Sequence, residues 1–248
     1  MRVIINADDL GYNIDINNAI FILMERRLIT SATLMSNGLA CEDAINRIPR
    51  YPWCSFGIHL NLTEFQPLTR NKAFKSITGP DGNFKGNIRK VHISYDLVQA
   101  IYKEWCAQIE KMMSSGLVIS HIDSHHHVHT MWQLFLVLKK VQKQFNIPKV
   151  RLSRNIYPPS PSISCNLLIK KWLWNLSLRS YSATKTTDGF TNFACFLDNL
   201  KIKEISYKTV ELMVHPGWNN YAKEIAYIES PWIATIPINV SLINYNDL

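Results

Sequence analysis

Five of the chain's eight histidines fall within nine residues, His121-Ile122-Asp123-Ser124-His125-His126-His127-Val128-His129. A tag-like accident, a pH-sensitive surface patch and a metal site would all use such a run. An internal position with an acid among the imidazoles favours metal binding or proton transfer, because neutral imidazole and carboxylate are both ligands for divalent ions. Two geometries are open. On a helix, His121, His125 and His129 would share a face, but the glutamate of a metalloprotease helix is missing, since Ile122 stands in its place. On a strand, His121, Asp123 and His125 share a face by the period of two, and the upstream Gly116-Leu117-Val118-Ile119 favours that reading.

Other polar residues stand at the ends of apolar runs, each with a plainer explanation beside the chemical one. Asp8-Asp9 follows Val3–Ala7 and could cap the next helix. His59 lies within Phe56–Leu62, where a lone histidine is more often a hydrogen-bonded core residue. His215 precedes Pro216-Gly217 and could be a turn residue. Asn37 follows Ala32–Met35, and Arg151 lies in Val150–Ser153. These residues are far apart in sequence yet fall at the same end of successive strand-like runs, which in a barrel is one mouth.

The positioning elements follow from periodicity. Strand-like runs at Val3–Ala7, Ala32–Met35, Phe56–Leu62, Val118–Asp123, Val150–Ser153 and Val210–Val214, with a weaker one near Ala183–Thr187, alternate with helical patterns at Asp15–Leu28, Leu97–Met113 behind a Ser94 cap, Trp132–Phe145 and Leu167–Leu178. This alternation predicts a single α/β domain over residues 1–248: a deformed (β/α) TIM-like barrel of about seven parallel strands, with its site at the C-terminal strand ends. A long stretch at about 63–93, rich in Gly and Pro turns, interrupts it as a lid or a disordered insertion. One Asp and two His from three strands would make a catalytic divalent site, leaving open positions for water and substrate.

Composition excludes little and is consistent with this. No apolar run is long enough to span a bilayer, and the five scattered cysteines read as reduced thiols in a cytoplasmic protein. The formal charge of +8 is read as a solvated basic surface, with no nucleic-acid motif and no membrane partner expected.

Asn6-Ala7-Asp8-Asp9-Leu10-Gly11, Gly57-Ile58-His59-Leu60, the histidine run and Val214-His215-Pro216-Gly217, in that order, resemble the YdjC-like carbohydrate deacetylases, which include the ChbG-type chitooligosaccharide deacetylases. The resemblance implies removal of an N-acetyl group from an amino sugar or short chitooligosaccharide, with one divalent metal ion, Mg or Zn. It implies Asp9, His59 and His125 as metal ligands, Asp8 as general base and His215 as general acid. Asp123, Arg151 and Asn37 are the candidate substrate-binding residues, and a homodimer is compatible with the sequence. The rival readings are a metal-dependent phosphoesterase on a similar barrel and a non-catalytic sugar-binding protein. The chain departs from the family after the histidine run, where Thr130-Met131-Trp132 stands in place of an early proline.

Overall fold

The structure, a computed structural model, describes residues 1–158, 163–181, 184–202 and 205–248. In chain order its elements are β1 (Arg2–Leu10), α1 (Ile14–Glu25), β2 (Ser31–Leu34), α2 (Cys41–Arg47), β3 (Ser55–Leu60), α3 (Tyr95–Ser114), β4 (Ile122–Ser124), α4 (Phe135–Phe145), α5 (Cys165–Ser180), β5 (Gly189–Asn192), α6 (Phe193–Leu200), β6 (Thr209–Val214), α7 (Ala222–Glu229), α8 (Trp232–Thr235) and β7 (Ser241–Leu242). The strands form one parallel sheet in the order β4-β3-β2-β1-β6-β5, with β7 beside β1. β1 lies at its centre. On one side it pairs with β6 from Arg2 to Ala7; on the other it takes β7 at Arg2–Val3 and β2 from Asn6 onward. The sheet curls into a deformed TIM-like barrel, as the strand–helix alternation requires.

The wall between β4 and β5 is irregular. The expected strand at Val150–Ser153 does not form; instead Ile122 donates to Lys149 O and Arg151 donates to Ile122 O, while Lys185 bridges to Lys149. Asn155 then ties to β5, accepting from the Phe190 N–H at 2.8 Å. The weak run expected near Ala183–Thr187 falls partly outside the described residues, and the strand itself begins at Gly189. β7 was not anticipated, because two residues carry no readable period.

Helices start where the sequence provides caps. The Ser94 side chain accepts from Leu97 N at the head of α3, and Asn13 accepts from Ile16 N at the head of α1. The apolar stripe of α3 (Leu97, Ile101, Trp105, Ile109, Met112) is buried against the sheet. The 63–93 stretch is anchored rather than a lid or a disordered insertion. Phe74, Ile77, Phe84 and Ile88 join the core, and Glu104 of α3 accepts from Leu68 N, Thr69 N and the Thr69 hydroxyl. Phe74 and Phe84 pack edge to face within that core. All five cysteines are free thiols.

Candidate active site at the barrel mouth

Adjacent residues on a regular strand point to opposite faces. Asp8 and Asp9 escape that rule because the β1–β2 register shifts between Ala7 and Leu10, and Asp9 takes the left-handed φ of 69°. The bulge places both carboxylates, each nearly fully buried, at the mouth. A second strained turn follows β4, where His126 and His127 both have φ near 50°. Arg89, from the anchored 63–93 stretch, fixes this turn by donating to His126 O at 3.0 Å and His127 O at 2.8 Å.

The turn splits the histidine run. His125 Nδ1 lies 2.8 Å from Asp9 Oδ1. His127 faces Phe190, and His129 Nδ1 contacts the Ser124 hydroxyl at 2.5 Å. His121 lies in the core, stacked on Tyr245 with ring centroids 3.5 Å apart. Gly57 makes room for it, since a Cβ there would sit 2.4 Å from the imidazole.

Asp9, His59 and His125 each bring one ligand atom to within 4.8 Å of the others. His59 Nε2 is 3.2 Å from Asp9 Oδ1, while its Nδ1 is 2.7 Å from Asp123 Oδ1 across the β3–β4 pairing that sets His59 beside Asp123. This is the arrangement of a ligand imidazole oriented by a carboxylate behind it. Burial alone would lower the His59 pKa, but the charge and hydrogen bond of Asp123, helped by Asp9 and Asp8, raise it to about 10. Burial would likewise raise the Asp9 pKa, yet its bonds to His125 and His59 hold it well below the usual carboxylate range. Two buried imidazole nitrogens converging on one carboxylate oxygen are a donor set suited to a divalent ion.

A second group, Asp8, His59 and Asp123, has similar spacing. It already holds a cation. Arg151, fully buried, grips Asp8 with two bonds of 2.7 and 2.6 Å, and lies 2.6 Å from Asp123 and 2.7 Å from Glu211. Burial opposes ionisation of Asp8, but Arg151 outweighs it and holds the Asp8 carboxyl far below its ordinary pKa. Glu211, pushed up to about 7 by burial, accepts from the Tyr245 hydroxyl at 2.5 Å.

His215 follows β6, with Nδ1 3.7 Å from Glu224 and its ring stacked on Tyr221 at 4.3 Å. That separation is beyond a good hydrogen bond, so Glu224 acts on it through charge. Burial lowers the His215 pKa, but Glu224, Asp8 and Asp9 together raise it above the ordinary histidine value. Asn37 donates to Glu64 O at 3.2 Å and Gln66 O at 3.0 Å, securing the start of the long stretch.

Several neighbours gave no sequence signal or one left unread. Trp218 donates to Asp9 Oδ2 at 3.0 Å, and Tyr12 packs against both Trp218 and Phe65, forming an aromatic wall beside Asp9 and His125. Glu211, a lone acid inside the apolar run Thr209–Val214, was readable as an anomaly; Tyr245, in a short tail, was not.

The site is thus a carboxylate–imidazole cluster beside an acid pair at the mouth of a parallel barrel. Residues 2–236 match the family described as YdjC-like protein, and the chain belongs to that family. It is 33% identical to a carbohydrate deacetylase of Oceanobacillus iheyensis over 88% of this chain and 86% of that one. It is 30% identical to a carbohydrate deacetylase of Clostridium beijerinckii over the full length of both. Its fold matches, with TM-score 0.75 and 23% identity over 99% of this chain and 98% of the other, a crystal structure of an Enterococcus faecalis protein provisionally described as a cellobiose-phosphate cleavage protein.

Proposed function

We propose that the protein removes the N-acetyl group from an amino sugar or a short N-acetylated oligosaccharide by metal-dependent hydrolysis. The observation that carries this reading is the convergence of Asp9, His59 and His125 on one point beside an Arg151-held Asp8. The relatives named carbohydrate deacetylase support the choice of substrate.

Asp9 Oδ1, His59 Nε2 and His125 Nδ1 would hold one divalent ion, Zn or Mg. When bound, such an ion lowers the pKa of water and polarises the acetyl carbonyl. Asp8 accepts the water's proton. The guanidinium that orients it also makes it a weak base, always ionised near neutral pH, so its role depends on the water being made more acidic. His215, with its pKa raised, keeps a proton to give to the departing amine. The aromatic wall of Tyr12, Phe65 and Trp218 borders the site, where a sugar ring could stack. Arg151 and Asp123 are fully buried with their polar atoms engaged, and the Asn37 amide is spent on backbone carbonyls. We therefore assign these three to positioning in place of the substrate contact expected from sequence.

The test is acetate release from N-acetylglucosamine oligomers, with and without a chelator, and mass spectrometry of the product. Acetate release abolished by chelation, with sugar chains uncut, is the expected outcome. Shortened chains with intact acetyl groups would point to glycosidic cleavage, and no metal-dependent turnover at all would favour a sugar-binding protein.

A further inference from the structure

α5 (Cys165–Ser180) is apolar on two faces. Trp174 and Leu178 are buried, with Trp174 meeting Trp132 and Phe135 edge to face. On the opposite face Ile169, Trp172, Leu173 and Leu176, at helical spacing, are 54%, 63%, 41% and 48% exposed. A solvated helix carries polar residues there. Lys170 flanks this stripe on one side and Arg179 on the other, the latter with its guanidinium donating to Thr187 O and Asp188 O, and α5 contains no acid.

α5 itself carries Lys170, Lys171 and Arg179 and no acid, and the formal charge is uneven along the sequence. Between Ser124 and Thr187 there are ten Lys and Arg and no Asp or Glu, whereas the remaining residues hold 17 bases against 19 acids. The formal surplus of +8 therefore arises entirely from the stretch that contains α5. A cavity of about 500 Å³ opens along the same helix, lined by Arg89, His127, Trp132, Lys170, Lys171 and Trp174 among others, with no acid in its wall.

We propose that the outer face of α5 docks peripherally on an anionic lipid bilayer, with Ile169, Trp172, Leu173 and Leu176 entering the headgroup boundary and Lys170 meeting lipid phosphates. Exposed Trp and Leu beside Lys and Arg, on a helix lying along a surface, is the composition of an interfacial helix, and it needs no membrane-spanning segment. This revises the expectation of no membrane partner, which rested on the lack of a spanning run. Aliphatic Ile and Leu have nothing to offer a nucleic-acid backbone, so the basic charge is better matched to lipid than to DNA or RNA.

The test is co-sedimentation of the full chain with vesicles of phosphatidylcholine alone, and of equal parts phosphatidylcholine and phosphatidylglycerol. Partitioning should be about tenfold or more higher on the anionic vesicles, and should fall as salt rises. Trp172→Glu and Leu176→Glu, at exposed positions where folding is unaffected, should each abolish it with an unchanged melting temperature. The proposal is overturned if anionic vesicles retain no protein, or if either variant sediments like the wild type. It is also overturned if sedimentation equilibrium shows a dimer that these variants dissolve, or if they abolish binding to duplex DNA instead; the face would then belong to a second copy or to nucleic acid. Because the assay reads binding alone, it stands whether or not the protein is a deacetylase.

Discussion

Asp8 and Asp9 are neighbours in sequence, yet they belong to two regions built on different principles. Around Asp9, two imidazoles point at one carboxylate oxygen and no fixed cation is present. Around Asp8, one buried guanidinium bridges three buried acids, Asp8, Asp123 and Glu211. His59 belongs to both, with Nε2 toward the first and Nδ1 toward the second. The difference shows how a barrel separates binding from orientation. The outer group turns two imidazole nitrogens toward one carboxylate and is suited to hold an ion, while the inner group is tied together by Arg151 and holds the outer one in place.

The most severe way to break this division is Arg151→Met. It would leave Asp8, Asp123 and Glu211 buried without their counter-ion, and a buried ion pair broken on one side costs about 3–5 kcal/mol. Urea unfolding should show that loss, or the variant should fail to fold. A nearly unchanged stability would mean that the inner acids are neutralised some other way, for example by an ion in the Asp8–His59–Asp123 group, and the two regions would exchange roles.

His125→Ala attacks the outer group alone. His125 is not part of the apolar core, so the fold should survive. Metal content by elemental analysis should fall sharply. Asp123→Asn, which leaves the ligands in place but disturbs the orientation of His59, should weaken metal binding about 10–100-fold. Full metal occupancy in His125→Ala would remove it from the ligand set.

His215 tests whether the outer region also supplies the proton. His215→Ala should retain metal and lose roughly a hundredfold in rate on an amide, with a smaller deficit on an activated ester whose leaving group needs no proton. Because the His215 pKa is raised, the protonated acid is present below that pKa and lost above it. The wild-type rate should therefore decline on the alkaline side at a pH above the ordinary histidine value of 6.5, and this limb should vanish in the variant. Equal impairment on both substrates would instead indicate a role in binding.

Much of the outer region was legible because its residues occupy strand ends, and strand ends can be found by period. Asp8-Asp9 and His215 follow apolar runs that became β1 and β6, while His59 and the start of the histidine run lie near the ends of the runs that became β3 and β4. Periodicity did not reveal which histidine of the run turns inward, since that depends on two left-handed residues and on Arg89 arriving from a distant loop. The inner region was largely hidden. Arg151 lies on irregular chain where a strand was expected, and its partner Glu211 comes from β6, 60 residues away. α5 was found as a helix, but its outward apolar face reads in sequence like more core.

The smallest expected effect concerns the link between the tail and the inner region. Tyr245 is fully buried, and its hydroxyl donates to Glu211, which lies 2.7 Å from Arg151, which in turn grips Asp8. The tail is fixed independently of that hydroxyl: Tyr245 N donates to Ser55 Oγ at 3.0 Å, and Asn244 with Asp247 closes a reciprocal cap. Tyr245→Phe therefore removes one hydrogen bond and little else, about 1.5 kcal/mol when the acceptor is charged. The cost depends on pH through Glu211. Burial raises its pKa from the ordinary 4.5 to about 7, partly offset by Arg151 and by the Tyr245 bond, which favours the ionised form. Well below pH 7 Glu211 is protonated in the folded state, and the variant loses only a neutral hydrogen bond. As pH rises through the folded pKa the carboxylate ionises, and without the Tyr245 donor it keeps only Arg151. The melting-temperature gap between wild type and Tyr245→Phe should thus be small near pH 5 and widen toward pH 8. A gap that stays constant over that range would show that Glu211 does not change charge there, and that Arg151 alone sets the state of the inner region.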